Sequence, residues 1–307
     1  MSLDQDDQEL VAPAPAAVTE GPPARRGMLR RAGLGLAGIA AVGIAAAPKA
    51  ARAATLTDTD IFNFALNFEY LGAEFYLRAV TGKGLSSYIG VGGVGNQGTV
   101  TGGSPVPFKT AAVAYYAQQL ANDELAHANF IRTALGSAAI AEPSIDLQQS
   151  WTTLAMAAGL ISTGQTFSPF ADEVSFLLGA YVLEDVCVTA LAGAANQLTS
   201  PTNLAYAAGL LGAESYQAGA IRGYLANIGA GAATDAISNL RATLSGVGDN
   251  GTNADGNAYN ITNVDINSQA YRRTPQQVLA IAYGSSTTGT SSGGFFPAGV
   301  NGTIVSV

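Results

Sequence analysis

The chain is poor in the residues that most active sites use. Its 307 residues include one histidine, one cysteine and one tryptophan. The single cysteine, Cys187, excludes an intrachain disulfide. Charged residues make up only 12% of the chain, where soluble domains carry about 25%. Each charge inside an apolar run therefore needs a reason. Bases number 14 against 22 acids, a formal net charge of −8, and the pI is near 4.6. With no basic stripe, nucleic acid is excluded as a partner. An acidic chain also does not fit adherence to anionic lipid, and the mature form is expected to have no stable membrane insertion.

What is present begins with a targeting segment. Arg25-Arg26-Gly27-Met28-Leu29-Arg30 is similar to a twin-arginine export motif. A weakly apolar Ala/Gly/Leu stretch follows over 32–47, shorter than the ~20 residues a spanning helix needs. Ala51-Arg52-Ala53 then fits a small-x-small cleavage site. Residues 1–53 read as a signal cleaved near Ala53, which places the mature protein in the periplasm or otherwise outside the cytoplasm.

Apolar periodicity predicts four long helices over 58–80, 107–135, 169–198 and 201–228. Thr57 or Asp58, Ser168 and Ser200 are candidate N-caps, Pro201 takes a first helical position, and Gly136 and Gly229 are natural stops. The fold class is all-α: a four-helix bundle over 54–230, with a loop-rich C-terminal extension over 231–307. The link between the second and third helices is long and holds a short helical piece near 151–160, which implies a crossover. The two residues between the third and fourth helices make these antiparallel neighbours. The Gly-rich stretch 82–104 has strand-like pieces at Tyr88-Ile89 and Thr99-Val100-Thr101 and reads as a small hairpin excursion. Further short helices are expected at 235–244 and from Pro275 to Tyr283.

Each long helix carries one glutamate on its apolar stripe: Glu69, Glu124, Glu184 and Glu214. An ionised carboxylate in such a stripe costs several kcal/mol unless it is paired or binds a cation. Arg78, Arg132 and Arg222 are the only bundle arginines, too few to neutralise these acids. The lone histidine, His127, stands three residues after Glu124, so both share one helix face. Carboxylate and imidazole together suit a divalent metal. A metal-free hydrogen-bonded Glu124–His127 pair is the plainer account of these two residues taken alone. Glu74 and Arg78 form an i,i+4 pair expected on the surface. Asp185 reads either as an acceptor behind the metal ligands or as an arginine partner. Tyr76 and Tyr181 lie on the ligand-bearing faces, and Cys187 reads as a small buried hydrophobe.

The order Glu69, Glu124-x-x-His127, Glu184, Glu214-x-x-Gln217 resembles the ferritin-like di-metal family. In chain order, that family's pattern is Glu, Glu-x-x-His, Glu, Glu-x-x-His. The stretches Asn122–His127, Tyr271–Leu279 and Gly293-Gly294-Phe295-Phe296-Pro297 are similar to its desiccation-related branch. The resemblance implies a ferritin-like bundle with a long crossover. It also implies iron or manganese, one ion on Glu69, Glu124 and His127 and the other on Glu184, Glu214 and Gln217, with Glu124 and Glu214 bridging. Gln217 departs from the family's second histidine, and a neutral amide oxygen is the poorer donor. The implied activity is on a small oxidant, oxygen or peroxide, in stress protection. The alternative is a non-catalytic desiccation or stress protein with a degenerate or empty site. The extension either caps one end of the bundle, with Phe295 and Phe296 as anchors, or builds a homo-oligomer interface.

Overall fold

The computed structural model describes residues 56–253 and 260–307. The segment expected to be an export signal, 1–53, lies outside them. Helix α1, Asp58–Thr81, opens on a capping box. Thr57 Oγ1 accepts from Asp60 N–H at 3.1 Å, and Thr57 N–H donates back to Asp60 at 2.9 Å. Gly82, at φ 75°, ends it in a left-handed cap.

Helix α2 spans Ala111–Leu135 and starts later than the predicted 107. Glu173 takes the Lys109 and Thr110 N–H groups and the Thr110 hydroxyl at 2.7–2.9 Å. These donors are thereby fixed outside the helix. Helix α3, Gln149–Ala157, is the short piece inside the link. Helix α4, Glu173–Ala194, is capped by Asp172 rather than Ser168. Ser168 instead closes a turn with Ala171. Helix α5 spans Pro201–Asn227, with Ser200 as cap and Pro201 in its first turn. The α4–α5 connection covers 195–200, longer than expected, because Asp58 accepts from Thr199 N–H at 2.8 Å and Ser200 N–H at 3.0 Å. Helices α6, Gly231–Ser245, and α7, Pro275–Tyr283, lie in the extension.

The pairing of ends fixes the topology. Asn63, early in α1, meets Ala138 just past α2, while Val106 N–H, before α2, donates to Ala79 O late in α1. The two helices are therefore antiparallel. Phe75, late in α1, stacks on Phe176, early in α4, with ring centroids 5.5 Å apart. Asp58 meets the α4–α5 turn, so α1 and α4 are antiparallel too. Hence α2 and α4 run the same way, and the link between them must return along the bundle, the long crossover of the ferritin-like topology.

The Gly-rich excursion is not a hairpin. Strand β1, Val100–Gly102, pairs in parallel with β2, Ile145–Leu147, in the crossover. Tyr88 follows a 3-10 turn rather than lying in a strand. The two connections thus tie each other down. The excursion also buries Glu74 of the Glu74–Arg78 pair that the spacing placed on the surface. Glu74 is 1% exposed and accepts from Leu85 N–H at 2.7 Å and from Arg78 Nε at 2.5 Å. Gly84 permits this cover, since a Cβ there would stand 2.7 Å from Glu74 Oε2.

The extension shares the bundle's core. Phe295 packs edge-on against Trp151, centroids 4.7 Å apart, and Phe296 against Phe68 at 5.6 Å. Asn301 exchanges two 3.0 Å hydrogen bonds with Asn67 of α1. A buried ion network joins the two parts: Asp185 accepts from Arg222 and Arg241, and Asp249 from Arg241 and Arg273, all at 2.8 Å. Asp185 is therefore an arginine partner. Helix α4 is long and apolar enough to cross a membrane, but it lies mostly inside the bundle.

Candidate metal centre

The four glutamates come from the middles of α1, α2, α4 and α5, and all are nearly inaccessible to water. No bundle arginine reaches them. Arg78 goes to Glu74, Arg132 to Tyr70 and the Ile140 and Gly92 carbonyls, and Arg222 to Asp185. What meets three of them is the single histidine. His127 Nδ1 lies 3.5 Å from Glu69 Oε2, 3.5 Å from Glu124 Oε1 and 3.3 Å from Glu214 Oε1. One donor atom from each of these four residues falls within 4.8 Å of the others, a group able to hold a metal ion.

The spacing itself carries information. A charge-assisted N–H···O bond runs about 2.7–2.9 Å. Two donors each about 2.1 Å from one ion stand about 3.0–3.4 Å apart at tetrahedral to right angles. The observed 3.3–3.5 Å separations are too long for the first case and lie at or just beyond the upper end of the second. Glu69 Oε2, Glu124 Oε1, His127 Nδ1 and both oxygens of Glu214 are buried with no hydrogen-bond partner among the described residues. Such convergence of unsatisfied donors is disfavoured unless something fills it. The residues present therefore fit a divalent ion.

Electrostatics points the same way. Burial, then the charges of Glu69 and Glu184, pushes Glu124 up to about 8. Burial and the Glu124 charge push Glu214 up to about 8. Burial and the Glu214 charge raise Glu184 well above the usual carboxylate range. Burial alone would lower His127, but Glu124, Glu214 and Glu69 outweigh it and hold the imidazole well above its ordinary value. Without an ion, burial and mutual repulsion favour protons on Glu124, Glu184 and Glu214.

Glu184 and Gln217 lie outside that four-donor group. Glu184 accepts from the Tyr76 hydroxyl, and its other oxygen, Oε2, is buried without a partner. Gln217 Nε2 donates to Asp123 Oδ2 at 3.0 Å, while Oε1 is buried and unpartnered. Tyr76 is thus the tyrosine that touches one of the four inward glutamates. Tyr181 instead bonds Ser238 at 2.6 Å beneath the extension. Cys187 lines two apolar clefts with Phe68. One cleft reaches Glu124 and Glu184, and the other reaches Glu69.

Two contributors carry little sequence signal. Gly72, on α1, faces Glu124: a Cβ there would stand 2.2 Å from Glu124 Oε2. Only its position three residues after Glu69 could have marked it. Asp123 reads as an ordinary helix-surface acid until α5 places Gln217 against it.

Residues 57–227 match the ferritin-like domain family. The chain is similar to the ferritin-like catalase Nec2 of Nesocodon mauritianus, 29% identical over 80% of this chain and 84% of that protein. It is also similar to the desiccation-related protein PCC13-62 of Craterostigma plantagineum, 31% identical over 73% of this chain and 76% of the relative. No solved structure gives a significant match. Four helices in this connection, a carboxylate–histidine centre between them and a family match spanning the whole bundle place the chain in the ferritin-like domain family, in its desiccation-related branch.

Proposed function

We propose that this is an exported metalloprotein whose centre holds iron or manganese and acts on oxygen or peroxide in stress protection. The observation that carries the reading is the convergence of Glu69, Glu124, His127 and Glu214, with their facing atoms unpartnered. Glu184 and Gln217 would complete a second metal position, with Glu124 and Glu214 between the two. Bound iron or manganese would supply the change of oxidation state needed to reduce oxygen or to disproportionate peroxide.

The chain's own residues support such chemistry. Tyr76 orients Glu184 by hydrogen bonding. Gly72 leaves Glu124 room against α1. The clefts that approach the carboxylates are lined mainly by Phe68, Leu71, Val182 and Ile281 on one side and by Phe62, Phe64 and Leu191 on the other. Apolar walls keep bulk water from the centre and admit small molecules. The relative named a catalase makes peroxide the first substrate to test.

A second reading, a non-catalytic desiccation-related protein, is favoured by Gln217 in the place of a histidine and by the relative of that name. Export rests on the twin-arginine motif at Arg25-Arg26, and cell fractionation with those arginines changed to lysine tests it.

Elemental mass spectrometry on mature protein, purified without added metal, tests the function. About two iron or manganese ions per chain, with peroxide turnover, support the enzyme. No metal in a folded bundle would hand the protein to the second reading.

A further inference from the structure

Gln217 is held in one orientation, and the residue that holds it is Asp123. Its Nε2 lies 3.0 Å from Asp123 Oδ2. The Asp123 oxygen is the acceptor of this bond, so the amide turns its NH2 group toward Asp123. The carbonyl oxygen is thereby directed elsewhere. It is buried, has no hydrogen-bond partner, and belongs to a side chain one helical turn beyond Glu214 on α5. Asp123 itself sits one residue before Glu124 on α2, so its bond to Gln217 joins the two helices that carry Glu124 and Glu214.

We propose that Asp123 is a positioning residue that makes Gln217 present oxygen, not nitrogen, to the second metal position. The inference rests on the metal centre proposed above. Its consequence is a difference between the two positions. Glu184, Glu214 and Gln217 form an all-oxygen donor set, while Glu69, Glu124 and His127 include an imidazole. All-oxygen sets suit hard ions such as Mn²⁺ and Mg²⁺, and imidazole suits iron and zinc as well. The second position therefore selects a hard ion, and Asp123 enforces the selection by fixing the amide.

The amide at 217 makes the idea testable without reference to turnover. Mn²⁺ and Zn²⁺ are titrated separately into the purified full-length protein, followed by calorimetry and, for manganese, by electron paramagnetic resonance. Asp123→Asn keeps the shape but adds a donor that can satisfy Gln217 Oε1, freeing the amide to turn. It is expected to weaken the second Mn²⁺ by about 10–100-fold, the usual cost of losing a residue that orients a ligand, and to leave the first unchanged. Combining it with Gln217→Glu restores the second Mn²⁺, because the new amide at 123 donates to one new carboxylate oxygen and leaves the other for the ion. A folding defect in Asp123→Asn gives no such rescue. Gln217→His is expected to move the second position's preference from Mn²⁺ toward Zn²⁺. Unchanged Mn²⁺ binding in Asp123→Asn, a double variant without rescue, or an unchanged preference in Gln217→His would each overturn the proposal. If the wild type binds one ion, lost in His127→Ala, and no second Mn²⁺, this inference fails while the first metal position stands. If it binds none, both fail.

Discussion

Gly72→Ala separates the metal centre from the fold that carries it. The glycine lies mid-helix in α1, where alanine is favoured by about 1 kcal/mol. A Cβ would stand 2.2 Å from Glu124 Oε2 and 3.0 Å from its Cδ, against ordinary contacts that begin near 3.4 Å. The carboxylate must therefore move by more than ~1 Å, and overpacking of that kind costs about 1–3 kcal/mol. The helix gain offsets much of this, since the clash is with the far end of a flexible side chain. Metal-free protein should melt within about 5 °C of wild type, given ~2–4 °C per kcal/mol at this size. The metal response should differ. An ion at 100 times its dissociation constant stabilises the wild type by about 2.7 kcal/mol. A Glu124 carboxylate displaced by more than ~1 Å should remove most of that gain. The assay is thermal unfolding with and without Mn²⁺, alongside metal content. A variant that binds Mn²⁺ and gains melting temperature as the wild type does would refute the assignment of Glu124 as a ligand against α1.

Other perturbations bear on different parts of the molecule. Glu69→Ala and His127→Ala should each abolish the first ion, and metal retained in both by elemental analysis would break the ligand set. Because Glu124 and Glu214 stand at about 8 without metal, they are largely protonated at pH 7. Metal binding there must release protons, and affinity should climb as pH rises toward 8. Calorimetry in buffers of different ionisation enthalpy measures this, and an enthalpy independent of buffer would contradict it. Asp185→Ala leaves Arg222 and Arg241 buried without a shared partner and should cost about 3–5 kcal/mol in urea unfolding; a loss under 1 kcal/mol would mean the network relaxes. Burial would raise the Asp58 carboxyl, but donors from Thr199, Asn203 and Ser200 outweigh it and hold it below the usual 3.8. Its contribution is then fully present above pH 3.8 and is lost as pH falls through the lowered value. Asp58→Asn should flatten the acid limb of stability, and an unchanged limb would show the contact adds nothing.

The sequence by itself determined the bundle and named the candidate residues that line its centre. Helical periodicity put one glutamate on each apolar stripe, and burying a carboxylate is so unfavourable that Glu69, Glu124, Glu184 and Glu214 announced a partner before any coordinates. The i,i+3 spacing of Glu124 and His127 is local helix geometry and needs no tertiary information. Helix ends were less legible. Glu173 fixes the backbone ahead of α2 from 63 or 64 residues away, and Asp58 reshapes the α4–α5 turn from 141 or 142 residues away. Only the tertiary structure decided that Glu74 is buried beneath the glycine-rich excursion, that Asp185 belongs to an arginine network, and that Gly72 makes room for Glu124. It alone set Asp123 against Gln217. Each of these depends on which side chain from a distant segment arrives at a given face. A periodic pattern encodes burial against something, while the packing of separate helices and loops specifies what that something is.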